Sequence, residues 1–148
     1  ASEFEAAKGH LADGADRGDR DLSEIDVAMY VLTAVDEDPE RARRAAAGHI
    51  AYYLRDIPGY YDRAAKQAGY EAVVDAVQAA PSTEAGAEAV ADGLLDRLAV
   101  VGTPEEARSQ LDAIRELGVG LPIVRAPAGS DRAAVERTLE AFAPERGT

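Results

Sequence analysis

Cysteine is absent from the chain, which removes disulfide frameworks, thiolate metal sites and cysteine nucleophiles together. Tryptophan is absent too, and only His10 and His49 remain as imidazole ligands, so no metal centre is expected. Neither GxSxG nor SxxK occurs, which leaves no serine with a nucleophile motif. No apolar run is long enough to cross a bilayer or direct secretion, and a cytoplasmic chain is expected. Positive charge is scarce: 16 basic residues face 28 acidic ones for a net charge of −12, and Lys8 and Lys66 are the only lysines. Such a surface repels phosphate backbones and anionic lipid, so neither nucleic acid nor membrane is expected as a partner.

An acidic surface is either simply well solvated or suited to a high-salt cytoplasm, where screening shortens to about 3 Å at 1 M and carboxylate self-repulsion stops being costly. Scarce lysine and abundant alanine fit the second reading, which points to a halophilic archaeon.

The most explicit passage present is Val100 to Asp131. Thr103 followed by Glu106 spells a capping box, with Pro104 preset at the first helical position. Ala107, Leu111, Ile114 and Leu117 then recur at helical spacing until Gly118 supplies a left-handed stop, so a helix is expected from Pro104 to Leu117. Leu121-Pro122-Ile123-Val124 follows, apolar on both faces as a doubly covered strand is, with Pro122 tolerable only at its beginning. Strand, helix, strand is the crossover unit.

Upstream, Ser2 is a candidate cap for a helix facing inward with Phe4, Ala7, Leu11 and Ala15 until Gly18. Ile25 to Leu32 is β-branched and nearly continuous, a strand whose carboxyl end is Thr33. Pro39 opens a long amphipathic helix with Ala42, Ala46, Ile50, Tyr53 and Leu54 inward, stopped at Pro58-Gly59. From Tyr60 to Leu98 the pattern stays helical; Val73, Val74 and Val77 precede Pro81, and Val90, Leu94 and Leu95 follow a start at Ser82 or Thr83. Leu98 to Val101 is either a strand or the tail of the preceding helix. Asp131 opens a last helix with Val135, Leu139 and Phe142 inward.

The GTPEE phrase, with IDVAMYVLTAVDEDPERARRAA and HIAYYLRDIPGYYDRAAKQAGY upstream of it, resembles luciferase-like monooxygenases, in the branch that uses coenzyme F420. The resemblance covers nearly the whole chain. It implies an α/β fold, the carboxyl-terminal portion of a (β/α)₈ TIM barrel, with a helical insertion over about 58–97 before strand seven. Residues 1–148 then form a single unit, since such a barrel needs about 250 residues. Implied with it are hydride transfer to or from a small organic substrate, coenzyme F420 with FMN as the alternative, and an amino-terminal half-barrel or a second copy as partner, the latter a homo-oligomer. The rival expectation is a non-catalytic half-barrel interaction module that has lost cofactor binding.

In such barrels chemistry sits at the carboxyl ends of the strands, which directs attention to a few residues. Thr33 is a candidate donor to a flavin-like ring, or else a hydroxyl satisfied at a strand end. Arg125 is a candidate partner for a phosphate or for the coenzyme's acidic tail, or for a neighbouring carboxylate. Gly129 and Ser130, like Gly102 and Thr103, precede a helix and offer amides to a phosphate, but Asp131, Glu105 and Glu106 already occupy those first turns, so capping is the better account. Tyr52, Tyr53, Tyr60 and Tyr61 are candidate walls of a substrate cavity, or ordinary core. His49, with no second histidine or carboxylate at helical spacing, reads as a packed histidine rather than a general acid.

Overall fold

The computed structural model describes residues 2–59 and 61–144; the side chains of residues 2 and 3, and with them the expected Ser2 cap, lie outside that description, as does Tyr60. Helix α1 (Ser2–Arg17) leads through a 3-10 turn, Leu22–Glu24, to strand β1 (Ala28–Val35). Helices α2 (Pro39–Arg55), α3 (Asp62–Gln67), α4 (Glu71–Ala79), α5 (Thr83–Glu88) and α6 (Asp92–Leu98) follow without an intervening strand. Strand β2 (Ala99–Gly102), helix α7 (Pro104–Glu116), strand β3 (Leu121–Arg125) and helix α8 (Arg132–Ala141) complete the described chain.

Four of the helix starts written in the sequence are realised locally. Asp38 accepts from Glu40 N–H ahead of Pro39, Ser82 accepts from Ala85 N–H, and Asp131 accepts from Ala134 N–H. Thr103 and Glu106 close the reciprocal capping box: Thr103 N–H donates to Glu106 Oε2 at 2.8 Å, and Glu106 N–H donates to Thr103 Oγ1 at 3.4 Å. That backbone donation, reinforced by the Thr103 side chain, holds the Glu106 carboxyl below its ordinary range.

The sheet is parallel, and its order is β2-β1-β3. Three successive barrel strands would put β2 in the middle; here β1 is central, with Thr33 opposite Val100 on one side and Tyr30 opposite Ile123 on the other. Alternate residues of β1 point to opposite faces. Leu32 and Ala34 enter one core with Ala46, Ile50, Leu54, Val74, Val77 and Leu94, under α2, α4, α5 and α6. Val31 and Val35 enter the other with Val100, Ala107, Leu111 and Ala141, under α7 and α8. The outer edge of β2 is closed by a side chain: Gln110 Nε2 donates to Val101 O at 2.8 Å, and its Oε1 accepts from Val101 N–H at 3.1 Å.

Several expectations are corrected. Strand β1 runs three residues later than its β-branched run suggests, because Ile25 closes the 3-10 turn by donating its N–H to Leu22 O, and pairing with β3 begins at Ala28. Thr33 is therefore interior to the strand and fully buried, its hydroxyl donating to Val31 O at 2.9 Å. Helix α1 buries only Ala15 of its expected face, with Ala7 exposed and Leu11 39% exposed. In α8 the buried positions are Thr138 and Ala141, whereas Leu139 is 57% exposed. Strand β3 is an edge strand whose first residue, Leu121, is 56% exposed.

Candidate functional site

A cavity of about 690 Å³ lies between α2, α5 and the turn that leaves β3. It exists because small residues face it: Ala47 and Gly48 from α2, Ala87 from α5, and Ala128 and Gly129 from the turn. Gly129 makes that turn at φ +81°, a left-handed conformation that suits glycine. Tyr52 and His49 complete the wall on α2, and Arg44, Glu84 and Glu88 are exposed at its rim.

His49 is the residue that ties the parts together. It is 2% exposed on α2, and its Nδ1 accepts the Ala128 N–H at 2.8 Å, across 79 positions of sequence. An accepting nitrogen carries no proton, so in the neutral ring the proton is on Nε2. That Nε2–H is buried and has no hydrogen-bond partner among the described residues. Burial, and secondarily the charge of Arg125, push the His49 pKa down to about 4, so the ring is neutral through the physiological range. General acid chemistry by a protonated His49 is thereby disfavoured.

Next to it stands an aromatic cluster. The Tyr53 ring is 4.7 Å from His49, 5.5 Å from Tyr52 and 5.4 Å from Tyr61. Arg125, the last residue of β3, donates from Nη2 to Tyr53 Oη at 3.0 Å and lies 5.8 Å over that ring. The guanidinium expected to meet a phosphate or carboxylate is thus engaged by a phenol. Of the other expected residues, Tyr52 and Gly129 line the cavity, Tyr61 packs on the larger core, and Thr33 is closed off in the sheet. Ser130 faces a different, smaller hollow of about 200 Å³ at the carboxyl end of β1, beside Asp36. There Asp36 Oδ2 receives Arg137 Nη2 at 3.1 Å and stands 4.0 Å from Arg41 Nε, joining the end of β1 to α2 and α8. No group of three or more metal-ligating side chains exists among the described residues, and no described helix is long and apolar enough to cross a membrane.

A parallel sheet with helices on both faces defines an α/β chain, and its cavity lies beside the carboxyl-terminal loops, where open α/β sheets commonly place ligands. Its family follows from comparison: residues 1–120 match the luciferase-like monooxygenase model, and the chain belongs to that family. It is similar to the 5,10-methylenetetrahydromethanopterin reductase of Methanolobus tindarius, 27% identical over 135 residues, covering 88% of this chain and 40% of that protein. The reductase of the same name from Methanopyrus kandleri is 27% identical over 148 residues, covering 97% and 40%. The solved structure of the coenzyme F420 dependent tetrahydromethanopterin reductase from Methanopyrus kandleri shares the fold, with a TM-score of 0.72 at 21% identity, over 95% of this chain and 42% of that one. The chain therefore spans about two-fifths of the length of these relatives.

Proposed function

We propose that this chain is the carboxyl-terminal part of a luciferase-like, coenzyme F420-dependent oxidoreductase that moves a hydride to or from a small organic substrate. The observation that carries this reading is an uncovered apolar strip. Ala28 and Tyr30 of β1, in register with Leu121 and Ile123 of β3, share the face that Leu32 and Ala34 bury further along, yet Tyr30 is 74% and Leu121 56% exposed. Side chains paired in parallel register share a face, and water over an apolar sheet face is costly. We read residues 1–148 as one unit, the carboxyl-terminal portion of a (β/α)₈ barrel with the helices of about 58–97 inserted between β1 and β2; in a barrel completed from three successive strands β2 would take the middle place that β1 holds here. The strip is then covered by an amino-terminal half-barrel or, in a homo-oligomer, by a second copy.

Coenzyme F420 and its alternative FMN both carry anionic groups, and these do not fit the α2–α5 cavity, whose rim has Glu84 and Glu88 against Arg44 alone. Buried Thr33 offers the coenzyme nothing. Coenzyme binding therefore falls to the amino-terminal strands, and this chain's part is to enclose the organic substrate and exclude water. The net charge of −12 suits the high-salt cytoplasm of a halophilic archaeon.

Coexpression with the amino-terminal half of a luciferase-like barrel is expected to yield a complex that oxidises reduced F420 when given an acceptor. Assembly without coenzyme binding would favour an interaction module instead. A monomer in high salt with no copurifying chain would overturn both readings. Tyr30→Asp is expected to change the chain's own stability by less than about 0.5 kcal/mol, as for other exposed positions. The same change weakens assembly at least about 100-fold, because it buries an unpaired charge; calorimetry and size-exclusion chromatography at high salt separate the two effects.

A further inference from the structure

We propose that an amino-terminal half-barrel closes on this chain from both sides of the β1–β3 pair, one strand joining the outer edge of β3 and another joining β1 at Ala28 and Tyr30, with β3 staying beside β1. This rests on reading the chain as the carboxyl-terminal part of such a barrel, and it adds where the partner docks and which backbone groups receive it.

The backbone bonds fix which groups are available. Leu121 N–H donates to Val27 O at 3.1 Å. A strand addresses its two neighbours through alternate residues, so Leu121, Ile123 and Arg125 address β1, while Pro122 and Val124 address the far side, where β3 is the last strand. Pro122 has no N–H and loses nothing at such an edge position. The outer edge of β3 therefore offers Val124 N–H as a donor, with Pro122 O and Val124 O as acceptors. On β1, Asp36 N–H donates to Gly102 O at 3.1 Å, so Ala28, Tyr30, Leu32 and Ala34 address the β2 side. Yet β2 begins opposite Leu32, and no strand among the described residues lies beside Ala28 and Tyr30.

These two open edges flank the exposed side chains of Tyr30 and Leu121. Unpaired edges next to apolar surface recruit strands, and all three features meet at the amino-terminal end of the β1–β3 pair. The outer edge of β2 is different, because Gln110 already takes both Val101 backbone groups. One added strand would leave an edge open; closing a cylinder requires a strand on each side. A second copy supplies two more such strands, too few for eight. The relatives named above carry about three-fifths of their length beyond the part this chain matches, and an amino-terminal half-barrel brings strands for both edges.

The absence of cysteine makes a strand lock a clean test. Ala28→Cys with Leu121→Cys, in register on β1 and β3, bridges the two strands on oxidation. The chain is coexpressed with the amino-terminal half of a luciferase-like barrel, and assembly is measured by analytical ultracentrifugation at high salt. Oxidised and reduced forms are expected to assemble within about threefold of each other, a difference smaller than one hydrogen bond is worth. Ala28→Pro and Val124→Pro each remove an N–H that the β1–β3 pairing does not use, and each should weaken assembly at least about tenfold. Ala28→Ser and Val124→Ala keep that N–H and serve as controls; each proline variant, taken alone, should melt within about 3 °C of its control. Gln110→Leu, which uncovers the β2 edge, should leave assembly unchanged.

Assembly lost on oxidation would mean that β3 has to leave β1. Assembly indifferent to both prolines, or strengthened by Gln110→Leu, would put the partner elsewhere. Each of these results overturns the proposal while the oxidoreductase reading stands. A complex that assembles as described yet turns over no coenzyme sinks that reading and leaves the docking geometry intact.

Discussion

Gly102→Ala is expected to lower the thermal midpoint by roughly 10 °C, a loss of about 3 kcal/mol. Gly102 ends β2 at φ +135°, where a residue with a Cβ is strained. An added Cβ would stand 2.4 Å from Glu106 Oε2 and 3.1 Å from Glu106 Cβ. The carboxylate it would displace is the one receiving Thr103 N–H, so the substitution strains the backbone and breaks the cap of α7 together. Loss of a cap alone costs about 1 kcal/mol. The two contributions separate in a double-mutant cycle with Glu106→Ala: once the carboxylate is gone, Gly102→Ala should cost roughly 1 kcal/mol less than it does in the parent chain. A melting temperature for Gly102→Ala within a degree of the parent would show that neither strain nor clash is real.

Acidification should destabilise the chain through His49. The unfolded ring takes a proton near pH 6.5, whereas the folded ring resists protonation down to about 4 because it is buried and stands near Arg125. Between those values the unfolded state binds more protons, so stability falls as pH falls. This contribution is fully present above about pH 6.5, shrinks through the interval, and is lost below about pH 4. The whole interval corresponds to about 3 kcal/mol or slightly more. Protonation also turns Nδ1 from acceptor to donor, which sets it against the Ala128 N–H. Urea melts at steps of pH check this directly: His49→Asn keeps the Ala128 bond without a titrating group and should lose about that much of the pH dependence. An unchanged pH profile in His49→Asn would remove His49 as the cause.

Local signals account for what was legible in advance. Caps, proline positions and glycine stops are decided by a handful of adjacent atoms, which is why α7 and α8 begin where Thr103-Pro104 and Asp131 place them. The uninterrupted helical stretch after Gly59 is local in the same sense. Strand ends are not local: β1 ends at Val35 because Ala99 to Gly102 lie alongside Leu32 to Val35, 67 positions apart in each pair. Setting Thr33 at the strand's end followed from ignoring that partner. Leu139 and Leu11 were expected inside because amphipathic periodicity reports which face is apolar, and does not report whether anything covers it.

His49 shows the same division within the site. A histidine between apolar neighbours on a helix reads as packed, and it is packed. That its Nδ1 grips Ala128, leaving Nε2 covered and without an acceptor, depends on a turn 79 residues away.

The sequence by itself determined most of the helices, several of their caps, the acidic surface and the lack of any thiol, since each of these depends on residue type or on neighbours within a turn. Tertiary structure alone decided that β1 is the central strand, that Thr33 is sealed, that Arg125 meets a tyrosine, and that Tyr30 and Leu121 stand uncovered on one face. The reason is physical: sheet order and burial are set by contacts between segments far apart in the chain, which satisfy backbone groups and cover apolar surface in combinations that no single stretch encodes.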